Sequence, residues 1–188
     1  MDHTTTAQSQ HKNKHRLYES LGQIYVLFEA LEQGINKLVL CCLGECASKN
    51  LMLLDRISFG EKAALMDELI RSIHSKQELS GLNDTLIALV DRCNLCEELR
   101  DKWMQAHWVP EVEAGEGVVM RLERDTANNL QLVPCRLNEL ENFVIVLNAT
   151  NAYLSRFHQT LAAKKRIRHI PLLTGYVKPL PLANGAVV

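Results

Sequence analysis

The sequence predicts an all-α fold, a four- to five-helix up-and-down bundle with one small β-hairpin between the last two long helices. Three observations lead there. Leu17, Leu21, Ile24, Phe28, Leu31, Ile35, Leu38 and Cys42 recur at alternating spacings of four and three, which holds one apolar face through about seven helical turns. Only five prolines interrupt the 188 residues, and three of them fall at or after Pro171. An apolar fraction of 47% beside a charged fraction of 23% suits a soluble domain with a core of its own.

Residues 1–14 are polar and read as a disordered leader. The first long helix is then expected over roughly 14–47. Its second apolar face (Tyr25, Leu27, Val39) suits a central helix or one that also meets a second subunit. Leu51–Leu54 reads as a loop or a single turn. Ser58-Phe-Gly-Glu61 has the form of a capping box, in which serine and glutamate each satisfy the other's backbone N–H. A second helix follows over roughly 59–76, with Ala63, Met66, Leu69, Ile70 and Ile73 inward. Ser80-Gly81 and Asn83-Asp84 supply the next break and cap, and a third helix is expected over about 84–107. Pro110 ends it. Glu111–Glu116 is a polar loop. Val118–Arg124 and Leu130–Val133 flank the turn Asp125–Asn129 as a hairpin. A fourth helix starts near Arg136 or Leu137 and reaches about Ala163, with Leu140, Phe143, Val144, Leu147, Tyr153, Leu154 and Phe157 as its apolar positions. The organisation is thus a leader (1–14), a helical domain (15–163) and a basic, proline-containing tail (164–188).

The net charge of −1 conceals an asymmetry. From Phe143 onward stand Arg156, Lys164, Lys165, Arg166, Arg168 and Lys178, and no acid. Such an end suits nucleic-acid phosphates, or the acidic remainder of the same or a partner chain; a solvated tail is the plainer reading. The polar start has no secretory apolar segment, and no apolar run reaches the ~18 residues of a bilayer span. A cytoplasmic protein with reduced thiols and no membrane partner is the expectation. Cys93 and Cys96 form a CxxC inside a helical pattern, without a second pair at zinc spacing. They read as small buried hydrophobes, and no metal or cofactor is expected.

The functional signal lies in Glu97–Trp108, EELRDKWMQAHW. On a helix, Arg100, Trp103 and His107 share one stripe with Leu89, Cys93 and Cys96. A cation on an apolar face needs a partner or a use. In one reading Arg100 pairs with a carboxylate of another helix and His107 is a satisfied histidine at a helix end. Alternatively the pair forms an anion or phosphate site, with arginine as the charge and histidine as the proton-transfer group.

The order of elements, with SFGEK at 58–62 and LRDKWMQAHW at 99–108, resembles the HEPN superfamily over roughly residues 15–163. Many members carry an arginine, a polar residue and then a histidine, with four to six residues between the arginine and the histidine. Arg100, Asp101 and His107 fit that pattern at its longest spacing; at the commonest spacing this chain has Gln105. The resemblance implies a metal-independent endoribonuclease acting as a homodimer, with the two Arg–His pairs facing each other, in the manner of a toxin or defence component that an antitoxin or regulatory protein would restrain. His107 would serve as base or acid, Arg100 would hold the phosphate, and Asp101 would orient one of them. Trp108, Lys102, Lys164, Lys165, Arg166 and Arg168 would contact RNA; Trp103 suits a core or interface position better than base stacking. With Gln105 in the usual histidine position, a non-catalytic HEPN-like dimerisation or binding module is the alternative the residues leave open.

Overall fold

In the computed structural model, the described residues are 3–43, 52, 54–73, 81–112, 114–126 and 128–163. They form four long helices and a three-stranded sheet: α1 (His3–Leu43), α2 (Phe59–Ile73), α3 (Asn83–Met104), β1 (His107–Val109), β2 (Val118–Arg124), β3 (Leu130–Arg136) and α4 (Leu137–Ala163).

The seam of α1 forms the core. Leu17, Ile24, Leu31, Ile35 and Leu38 are fully buried, and Leu21 and Cys42 are half-buried beside them. Full burial of one such side chain contributes about 1.5–3 kcal/mol. Leu27 and Val39 are also buried, so α1 is central, whereas Tyr25 stays exposed. Gly34 makes room for α4: a Cβ there would stand 2.6 Å from Leu154 Cδ2. The apolar positions of α4 pack as the periodicity implies, with Leu140, Phe143, Leu147, Leu154 and Phe157 buried and Val144 and Tyr153 half-buried.

The directions of the helices differ from strict up-and-down alternation. Arg16 pairs with Glu141, the Asn151 amide reaches Leu27 O, and Gly34 meets Leu154, so α1 and α4 run parallel. Gly60 with Glu97 and Arg71 with Asn83 set α2 and α3 antiparallel. Cys96 with Thr150 and Arg92 with Tyr153 set α3 and α4 antiparallel. Three helices therefore share one direction and α3 opposes them. No helix among the described residues is long and apolar enough to cross a membrane.

α1 begins at His3, so the helix extends into the polar start. Gln, Lys and Ala are good helix formers, and tertiary contacts hold this end. Asn13 is buried; its amide donates to Gly115 O (2.7 Å) and Val118 O (3.0 Å), and its carbonyl accepts from Gly117 N–H (3.0 Å). Lys14 reaches Glu111 at 2.9 Å and Lys12 reaches Glu116 at 3.5 Å. Gly115 and Gly117 have φ of 85° and 71°, a region in which glycine carries no Cβ penalty.

Two boundaries also change. The N-cap of α3 is Leu82, with no side-chain cap; the Asn83 oxygen is instead occupied by the Arg71 guanidinium at 2.7 Å. The C-terminus of α3 is Met104 rather than 107, and residues 107–109 form an additional strand. That strand makes the hairpin a sheet of order β1-β2-β3, antiparallel throughout, with His107 opposite Leu122 and Trp108 opposite Arg121. Pro134 lies on the edge strand β3, where a missing N–H is tolerated.

Candidate functional site

The two sequence stretches that carry the resemblance meet at Phe28. All of SFGEK is committed to packing or capping. Ser58 N–H donates to Glu61 Oε2 (2.6 Å), and Glu61 N–H donates to Ser58 Oγ (3.3 Å), a complete capping box. The bonds from Ser58 hold the Glu61 carboxyl below its ordinary range. Phe59 packs on Phe28 with ring centroids 4.6 Å apart. Gly60 N–H donates to Glu97 (3.2 Å), and a Cβ on Gly60 would stand 2.8 Å from that carboxylate. Lys62 is buried in an ion pair with Glu32 of α1.

Arg100 closes the other side of this junction. Its guanidinium lies 4.4 Å over the Phe28 ring. Nε and one terminal nitrogen donate to Asp101 Oδ1 at 2.9 and 2.6 Å. The partner carboxylate is therefore its own neighbour, not one from another helix.

His107 stands elsewhere. In a continuous helix it would share a face with Arg100, but the helix stops three residues before it. The stop has a side-chain cause. Trp108 folds back so that its indole N–H donates to Trp103 O (3.2 Å), satisfying a carbonyl of the last turn. The two indoles stack with centroids 6.1 Å apart and planes 21° apart. Residues five apart on a helix face different ways, so this stacking requires the chain to leave the helix.

An open groove of about 660 Å³ lies between the end of α3 and the sheet. Its lining includes Asp101, Lys102, Gln105, His107, Arg121 and Arg124, with Leu122, Glu123 and Leu130. The exposed His107 ring and Gln105 thus face one space, which the Asp101 carboxylate also borders. Arg100 is not part of that lining; it reaches the groove only through Asp101. Trp103 is buried under the groove, with Lys102 Nζ 4.1 Å and the Arg121 guanidinium 5.3 Å from its ring centre. Trp108 is half-buried and already stacked. Lys164, Lys165, Arg166 and Arg168 lie outside the described residues.

Sequence reasoning missed Arg121 and Arg124 as groove residues. The alternation of Val118–Arg124 was visible, but only the third strand shows which element their strand faces. The thiols of α3 are buried one turn apart: Cys93 is pushed up to about 12 by burial and by Cys96, and burial also raises Cys96, which donates to Thr150. Among the described residues no group of three His, Cys, Asp or Glu is placed to hold a metal ion. Compared with protein-family models, curated proteins and solved structures, the chain finds no match.

Proposed function

We propose that this protein is a nucleic-acid-binding helical module that takes RNA into the groove at the end of α3. Its particular kind is HEPN-like: a bundle of long helices carrying a variant Arg–polar–His motif. The observation that supports the reading is the grouping of Lys102, Arg121 and Arg124 around the exposed His107 in one open groove. Phosphate oxygens are drawn to such a cluster, and most of the affinity for RNA comes from contacts of this kind.

Metal-independent cleavage by a homodimer is the second reading, and His107 favours it. A free imidazole beside cations is equipped to take the proton from a ribose 2′-hydroxyl. Within one protomer, however, Arg100 is spent on Asp101 and Phe28, which weighs toward binding without cutting. In the catalytic reading a second subunit completes the site, and an antitoxin or regulatory protein restrains it.

Incubation of a mixed RNA pool with the protein in EDTA separates the two. Binding without cleavage by the wild type is the expected result. Cleavage that persists in chelator and vanishes in both Arg100→Ala and His107→Ala would establish the ribonuclease instead. Absence of both binding and cleavage would remove both readings.

A further inference from the structure

The groove holds its cations unequally. Arg124 sits at the hairpin turn, donating to Asn128. Arg121 lies deeper, and it and the exposed Lys102 both stand against the Trp103 indole. Two like charges gathered on one ring repel each other, and the indole's negative face offsets only part of that. The nearby carboxylates are already engaged, Asp101 with Arg100 and Glu123 with Arg121. With Arg121 offset by Glu123, the positive charge left over is that of Lys102. The Arg121 side chain is 15% exposed and its guanidinium is tied to Glu123, while its Nε–H is buried with no acceptor.

Resting on the RNA reading, we infer that Arg121 together with Lys102 is the phosphate-holding pair of the groove, that Glu123 is an internal anion competing for the same guanidinium, and that the occupant is an unpaired nucleotide. Arginine with one edge held by a carboxylate retains donors for a phosphate oxygen. A groove of about 660 Å³ falls in the size range of pockets that enclose a small ligand. Bases of a single strand are free to be splayed into such a space, whereas those of a duplex are stacked away. The groove's arginine is thus supplied by the sheet, and Arg100 acts as a positioning residue for Asp101.

Both tryptophans of the protein stand at this site, so intrinsic fluorescence reports on it directly. The test titrates wild type, Arg121→Gln and Glu123→Gln with a short oligouridylate, with the same strand annealed to its complement, and with inorganic pyrophosphate. Circular dichroism checks that each variant is folded. Expected are preference for the single strand, binding roughly tenfold weaker in Arg121→Gln, and binding a few-fold tighter in Glu123→Gln, because a competing anion has been removed. A merely structural Arg121–Glu123 pair gives the opposite sign for Glu123→Gln, and that result overturns the inference. Should Arg121→Gln fail to fold, the sign of the Glu123→Gln effect alone decides. Equal RNA binding by all three proteins also overturns it while leaving the RNA reading intact. If no RNA binds but pyrophosphate changes the emission of the wild type and not of Arg121→Gln, the RNA reading falls and the nucleotide occupant with it, and Arg121 remains as an anion site. Silence toward every probe removes both.

Discussion

The junction at Phe28 and the groove beside Trp103 are built from similar residues, yet they balance their charges differently. At the junction each charge closes on an internal partner: Lys62 on Glu32, Glu61 on Ser58, Glu97 on Gly60, Arg100 on Asp101. In the groove Lys102 rests on an indole, Arg121 shares Glu123, and His107 is exposed. The first arrangement has little left to offer a ligand. The second keeps charge in reserve. A motif legible in sequence can therefore mark where a fold is fastened rather than where it works.

Substitutions at the two places should separate stability from binding. Glu32→Ala strands the Lys62 ammonium in the core and should cost about 3 kcal/mol by denaturant unfolding, the low end for a broken buried pair because Glu32 is a quarter exposed. RNA affinity of the folded fraction should not change. A loss below about 1 kcal/mol would mean that the pair is a surface one in energetic terms. Ser58→Ala removes one side of the capping box and should cost about 1 kcal/mol. Arg124→Gln should do the reverse: stability within about 0.5 kcal/mol of wild type, with the salt dependence of RNA binding shallower by about one unit.

Acid sharpens the same contrast. Glu61 has its carboxyl pulled below the ordinary glutamate value of ~4.3 by the Ser58 bonds. Its contribution is complete above that value and is lost as pH falls through the lower, folded one. The stability difference between wild type and Glu61→Gln should therefore be constant near neutrality and vanish in acid; a difference that persists would place the effect outside the capping box. The smallest effect is on the thiols. With Cys93 held at about 12, alkylation at pH 8 followed by peptide mass mapping should leave it unmodified until the protein is unfolded.

Much of the fold was legible because periodicity records burial. The seam of α1, the capping box before α2, the hairpin strands and the span of α4 all follow from local patterns. The end of α3 was not legible for a specific reason. A seven-residue spacing from Arg100 to His107 mimics a helical face, and no glycine or proline stands between Arg100 and Pro110 to break it. The break comes from Trp108 returning to Trp103, a tertiary choice invisible to spacing. The candidate site shifted with it, since His107 left the face of Arg100 and joined the sheet's arginines. The helical start of α1 was hidden for the complementary reason: polar residues were read as solvated, but Asn13 spends its side chain on a loop about a hundred positions away.

That distance has a consequence for how the molecule assembles. The Asn13 side chain closes a long stretch of chain with three hydrogen bonds and little apolar reward, an entropically costly contact that helix formation does not require. The first turns of α1 and the sheet should dock together late and open together first, as one weakly held unit at the end of a firmer helical body. Amide exchange at Gly117 and around Asn13 should therefore rise in concert. A chain shortened to begin at His15 would keep its core and lose the clasp on the loop that leads into β2.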